Sequence, residues 1–197
     1  MEPNCIKDNM YPESYLRAIY DVFLKEKEKR AIQYIQQYVH QYKGKIIGTL
    51  SGKDSLVSTH LAIRAVGVLS VYISRYVGRR KLPDEVVEEL VGIGKHLGAR
   101  IILGERPWGP HETLFQIIAK ELDDVEVIIS GLRIQEDGRN WIDRIYINNR
   151  VVNVVTPIAY WRHSDVWAYI LQYNIPIPKA YCSHGTVPWA SLQSLVF

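Results

Sequence analysis

Cysteine is almost missing from this chain. Cys5 and Cys182 are the only two, and their separation offers neither a disulfide framework nor the spacing of a zinc or iron–sulfur site. His60, His111 and His163 likewise lack metal-site spacing. The expectation is therefore a reducing, cytoplasmic setting without an iron–sulfur cluster. Long hydrophobic runs are also lacking. Although 47% of residues are hydrophobic, Asp, Lys, Arg or Gly breaks every apolar run well before bilayer-spanning length, so no membrane role is expected. Residues 1–14 are polar and contain proline, unlike a secretory leader. Nor does charge of one sign dominate: the net +3 is too small to mark a nucleic-acid partner by itself. Repeats, low-complexity tracts and linkers are missing too. The 197 residues read as one domain, 1–197, with a helical lead-in over 1–44.

What is present is regular alternation. Glu13 to Tyr42 reads as one or two amphipathic helices, with Leu16, Ile19, Tyr20 and Phe23 on one stripe and Ile32, Ile35, Tyr38, Val39 and Tyr42 continuing it. A strand at Lys45 to Leu50 leads to a helix-compatible run, Leu56 to Val66. Strand Leu69 to Ile73 precedes a helix opened by Pro83 and Asp84 and closed by Gly98. Strand Ala99 to Leu103, helix His111 to Leu122 and strand Val125 to Ser130 follow. Such alternation predicts an α/β fold: a doubly wound, mostly parallel sheet with helices on both faces. A hairpin, Arg144 to Ile147 with Val151 to Val155 around Asn148 and Asn149, and a last helix, His163 to Tyr173, complete it at the C-terminal end.

Ligands of open parallel sheets bind beyond the carboxyl ends of the strands. Three loops are expected there: Ser51 to Ser55, Ser74 to Lys81, and Gly131 to Arg139. The first, Ser51-Gly-Lys-Asp-Ser55, delivers a small polar turn to the front of a helix, as a phosphate site requires. Gly52 is expected to supply a backbone shape closed to side chains and to let phosphate oxygens approach. Ser51 and Ser55 supply hydroxyls and Lys53 a charge. Asp54 can cap the helix, hold Lys53 or bind a metal ion. The spacing is not that of a Walker A loop, because three residues separate Gly48 from Gly52 and Asp54 stands at the hydroxyl position. The alternative is a plain Gly-Ser turn.

In the third loop, Arg133 and Arg139 can grip phosphate or sulfate with forked hydrogen bonds. Glu136 between them can orient a guanidinium or receive a ribose hydroxyl; the alternative is a surface loop with a local salt bridge. Arg75, Arg79, Arg80 and Lys81 read either as a solvated run or as a field steering a polyanion. Ser164 or Asp165 can cap the last helix, and Trp161 can wall a pocket. Cys182 with His184 invites a nucleophile reading, against a buried, unreactive thiol.

In order, these blocks resemble the PP-loop group of adenine-nucleotide enzymes, in the α-hydrolase-like superfamily. The likeness is to the branch holding phosphoadenylyl-sulfate (PAPS) reductases, the small subunit of ATP sulfurylase and one class of FAD synthetase. It runs from about Lys27 to Gly185. Ser51-Gly52-Lys53-Asp54-Ser55 resembles the group's Ser-Gly-Gly-Lys-Asp-Ser loop, one residue short. Leu82 to Val86 is similar to its Phe-Pro-Glu-Thr helix start. Gly131-x-Arg133-x-x-Glu136-x-x-Arg139 resembles its arginine loop, and Pro157-Ile-x-x-Trp161-x-x-x-Asp165-Val166-Trp167 its Pro-Ile-x-x-Trp segment.

The resemblance implies PAPS, adenylyl sulfate or ATP as the bound nucleotide, held by Ser51, Gly52, Lys53, Asp54, Ser55, Gly131, Arg133, Glu136 and Arg139. Lys53, Asp54, Arg133 and Arg139 are its catalytic candidates, and magnesium is its metal candidate, with Asp54 positioning either the loop or that ion. It implies either sulfonucleotide reduction or adenylyl transfer with release of pyrophosphate; a nucleotide-binding module without catalysis is the alternative. The reductases' Glu-Cys-Gly-Leu-His-like tail does not follow here, so reduction would draw its thiol from Cys182 or a thiol-donor protein. A partner subunit and a homodimer are the other expected assemblies.

Overall fold

A computed structural model describes residues 11–42, 45–137 and 142–181. The lead-in is one continuous helical rod: α1 (Glu13–Ile19), a π-helical segment (Tyr20–Leu24) and α2 (Lys25–Gln41). The π segment corrects the sequence-based stripe. One extra residue in the turn rotates the apolar face, so Leu24 is 0% exposed while Phe23 is 63% exposed. Glu28 then fastens the rod to the rest of the molecule. It accepts hydrogen bonds from Tyr20 (3.0 Å), Tyr173 (2.8 Å) and Arg64.

Beyond the rod the chain alternates as β1 (Lys45–Thr49), α3 (Lys53–Val66), β2 (Ser70–Ser74), β3 (Tyr76–Val77), β4 (Arg80–Lys81), α4 (Asp84–His96) and β5 (Arg100–Gly104). It continues through α5 (Leu114–Glu121), β6 (Val125–Ile129), α6 (Ile134–Asp137), β7 (Arg144–Ile147), β8 (Arg150–Val155) and α7 (His163–Gln172). Helix α5 starts later than the sequence suggests. His111 takes a left-handed φ of 62°, and Thr113 exchanges capping hydrogen bonds with Gln116.

The main sheet has the order β5-β2-β1-β6-β8-β7, parallel except for the final β7–β8 pair. The C-terminal hairpin is thus the edge of this sheet, its β8 pairing in parallel with β6. Asn148 and Asn149, both at positive φ, make its two-residue turn. A second, two-stranded ribbon, β3 with β4, occupies the segment read from sequence as a charge run.

Strand residues alternate between two cores. Val71, Ile73, Val127 and Ile129 pack with Leu56, Leu61, Leu90, Ile93, Trp167 and Ile170 on one face, which the rod also covers. Ile47, Tyr72, Ile128, Val152 and Val154 pack with Phe115 and Ile118 of α5 on the other. Helices therefore cover both faces, as the pattern predicted. No described helix is long and apolar enough to cross a membrane. From β1 the chain builds outward through β2 to β5, then returns to place β6 on the opposite side of β1. This reversal makes the crevice between β1 and β6 the natural ligand position.

Candidate functional site

Two loops bound that crevice. The first is anchored by Thr49, whose hydroxyl donates to the Ile129 carbonyl (3.2 Å) and whose own carbonyl accepts from Thr59 (3.0 Å). Ser55 organises the turn: its hydroxyl accepts from the Ser51 and Gly52 amides (2.8 and 3.0 Å) and donates to the Gly52 carbonyl (2.8 Å). Gly52 itself has φ −135° and ψ −172°, extended backbone open to any residue. The expectation that position 52 needs glycine for its conformation is therefore not met. The Lys53 amide, first in α3, donates to the buried Tyr181 hydroxyl at 3.1 Å, a partner from the far end of the described chain that the sequence reading did not name.

The glycine demanded by geometry is Gly131, in the loop after β6. A Cβ there would lie 2.4 Å from the Ser55 nitrogen and 2.5 Å from the Asp54 carbonyl carbon. Both are backbone atoms that cannot step aside, so only a hydrogen fits between the loops.

Two residues on, Arg133 is 1% exposed and donates its Nε to Asp54 Oδ1 at 2.7 Å. Lys53, 0% exposed, donates its Nζ to Asp54 Oδ2 at 2.7 Å. Of the three roles open to Asp54, the structure selects holding Lys53 and adds Arg133, 79 residues away. One carboxylate thus bridges two buried cations, beside the positive end of α3. A second bond, from Arg133 Nη1 to the Trp161 carbonyl at 3.4 Å, ties it to the turn after β8. At that turn Asp165 accepts from the Arg162 amide (2.7 Å) and the Lys27 ammonium (2.5 Å), capping α7 and drawing in the rod.

The remaining expected loop, Ser74 to Lys81, makes its described side-chain contacts away from Asp54. Arg75 forms ion pairs with Asp84 (3.1 Å) and Glu105 (2.7 Å), and the Trp108 indole donates to Ser74 Oγ (3.3 Å). Glu136 falls in α6, while Arg139, Cys182 and His184 lie outside the described residues. His60 serves packing: its Nδ1 lies 2.9 Å from the Tyr169 hydroxyl, and burial, reinforced by Arg64, depresses its pKa to about 4.

Chemically, the two loops offer hydroxyls, a glycine-lined backbone approach and the N-terminus of α3, with Lys53 and Arg133 buried behind them on Asp54, which suits a polyanion. The arrangement is less suited to a resident metal. Both Asp54 oxygens are engaged, and among the described residues no three His, Cys, Asp or Glu side chains gather.

A family model described as the phosphoadenosine phosphosulfate reductase domain matches residues 45–184. Sulfate adenylyltransferase subunit 2 of Sulfurovum sp. (strain NBC37-1) is 24% identical over 201 aligned positions, covering 80% of this chain and 66% of that protein. The chain thus spans just under two thirds of that relative. Among solved structures, FMN adenylyltransferase of Candida glabrata, in complex with FAD and inorganic pyrophosphate, superposes with a TM-score of 0.58 at 16% identity, over 86% of this chain and 66% of that one. The NH3-dependent NAD synthetase of Campylobacter jejuni subsp. jejuni NCTC 11168 gives 0.55 at 13% identity, over 88% and 83%. At these identities the structural likeness is one of fold.

Proposed function

Since the chain belongs to the phosphoadenosine phosphosulfate reductase domain family, we propose that it binds an adenine nucleotide across the crevice between β1 and β6 and transfers the adenylyl group of ATP. The observation that carries this reading is the meeting of Lys53 and Arg133 on Asp54 at the sheet's reversal point. An acceptor oxygen attacks the α-phosphorus; the bond to the bridging oxygen breaks, and its electron pair leaves with pyrophosphate. The leaving group gains charge as it departs, and cations held in place beforehand stabilise that charge at little reorganisation cost. Ser51, Gly52 and Ser55 line the phosphate path, Gly131 keeps the two loops close, and Asp54 holds the cations in register. Arg139, which lies outside the described residues, is assigned the outer phosphate on the sequence motif alone, and Glu136 the role of its companion acid.

The donors fit nucleotide phosphates. Magnesium would arrive on those phosphates, as is usual for it, with Asp54 as the nearby acid; its chemistry there is charge neutralisation. The sulfate adenylyltransferase relative supports adenylyl transfer, and its name as a subunit supports a partner chain.

The family's own description favours a second reading, reduction of a sulfonucleotide such as PAPS or adenylyl sulfate by a thiol from Cys182 or a donor protein. A thermal-shift panel of ATP, AMP, adenylyl sulfate, PAPS and adenosine 3′,5′-bisphosphate separates the two. A ligand at ~100 times its Kd adds about 2.7 kcal/mol to stability. Adenylyl transfer expects the largest shift from ATP, with labelled pyrophosphate appearing once an acceptor is supplied. Preference for 3′-phosphorylated ligands, sulfite release and its loss in Cys182→Ser favour reduction. Tight binding without turnover leaves a binding module, and no shift with any adenine nucleotide removes all three.

A further inference from the structure

After α7 the chain runs as a strap over the sheet face that the rod also covers, and reaches the Ser51–Ser55 loop at Tyr181. Asn174, at a left-handed φ of 48°, turns it out of the helix, and Ile175 and Ile177 pack into the core. Pro176 and Pro178 stiffen it, since each fixes its own φ and restricts the residue before it. The Lys179 amide donates to Glu89 Oε1 of α4 at 3.0 Å, and the Tyr181 amide to the Pro178 carbonyl at 3.0 Å. These ties present Tyr181, 1% exposed, with its ring T-shaped against Trp167 at 6.0 Å. Its hydroxyl accepts from the Lys53 amide at 3.1 Å.

That amide is the first of α3, where the helix dipole favours a negative charge. The phenol is a neutral acceptor and leaves the dipole uncompensated. A phosphate oxygen on the same amide would compensate it, and charge-assisted hydrogen bonds are about twice as strong as neutral ones. Resting on the reading of this crevice as a nucleotide site, we propose that Tyr181 is a positioning residue for its phosphates. The hydroxyl holds the Lys53 amide in register and is exchanged for a phosphate oxygen when a polyphosphate binds. Exchange makes the loop selective for anions, because a neutral ligand offers that amide nothing better than the phenol. It also passes the arrival of phosphate to the strap, and through Lys179 and Glu89 to α4.

The test compares the full chain with Tyr181→Phe in calorimetric titrations with inorganic pyrophosphate, ATP and adenosine. Phenylalanine keeps the ring against Trp167 and deletes the accepting oxygen. The variant loses one hydrogen bond before the anion binds and none afterwards, so its affinity for pyrophosphate and ATP should rise by about fivefold. Adenosine, which has no phosphate, should bind both proteins alike. The Tm of the variant alone should fall, whereas at saturating pyrophosphate the two proteins should melt together. Glu89→Ala unties the strap at α4 and leaves ring and loop untouched; it should shift pyrophosphate affinity the same way, by about twofold. A purely packing role for Tyr181 would lower the Tm equally with and without pyrophosphate and leave affinity unchanged. That result, weaker pyrophosphate binding, or an equal gain for adenosine would overturn the proposal. An unmodified chain that binds neither pyrophosphate nor ATP would instead strike the nucleotide reading, which separates the two failures.

Discussion

Replacing Asp54 by asparagine removes the negative charge that bridges Lys53 and Arg133, which are 0% and 1% exposed. Each cation lies 2.7 Å from a carboxylate oxygen. At an effective dielectric constant of ~20, the gross attraction is about 6 kcal/mol per contact, most of it offset by the cost of desolvating the charges. Breaking a buried pair typically costs ~3–5 kcal/mol net, because the orphaned charge stays buried. Asp54 is 18% exposed as a side chain, and asparagine keeps an oxygen for Arg133 Nε, so the lower end, about 3 kcal/mol, is expected. For a domain of this size that is a fall in Tm of ~6–12 °C, read by circular dichroism at low salt. A polyphosphate would supply the missing charge, so pyrophosphate or ATP should raise the Tm of Asp54→Asn more than that of the parent. A variant melting within about 1 °C of the parent would refute the triad. Destabilisation without the enhanced response to polyphosphate would refute its proposed link to anion binding.

Gly131→Ala should cost ~2 kcal/mol or more in urea unfolding, since its methyl meets the Ser55 and Asp54 backbone at 2.4–2.5 Å; weaker ATP binding should accompany it. Glu28→Gln leaves Arg64 and two phenols without their carboxylate; a loss of ~2–4 kcal/mol is expected, measured in the same way. His60 binds its proton less readily when folded, with a pKa of about 4 against an ordinary 6.5. Between those values the unfolded chain holds more protons, so its contribution is present above pH 6.5 and is lost as pH falls toward 4. With discounting for partial solvent screening, unfolding at pH 4.5 should show a loss of ~1–2 kcal/mol that His60→Gln removes.

Local signals were readable in the sequence wherever one side chain's spacing fixed its environment. The apolar run before Ser51, the Pro83-Asp84 helix start and the Asn148-Asn149 turn all fall where periodicity and turn chemistry place them. The sheet class followed from strand–helix alternation. What sequence could not reveal depends on contacts across the chain. The π-helical turn over Tyr20–Leu24 buries Tyr20 and Leu24 where the rod meets α7 and leaves Phe23 outside, a shift that helical spacing does not display. Gly131 looks like any other glycine as a letter, yet it is pressed against the backbone of Asp54 and Ser55. Asp54 offered three roles until Arg133, from the loop after β6, came to share it, and Tyr181 became visible as a loop partner only through the fold. The charged stretch after β2 hid the β3–β4 ribbon because two-residue strands carry too little alternation to be seen.

The most direct measurement is hydrogen exchange read by mass spectrometry, with and without ATP. Peptides covering residues 51–55 and 131–134 should both slow when ATP is added, since one polyphosphate is to bridge the two loops. ATP binding that protects other segments while these two exchange at their original rates would contradict the assignment.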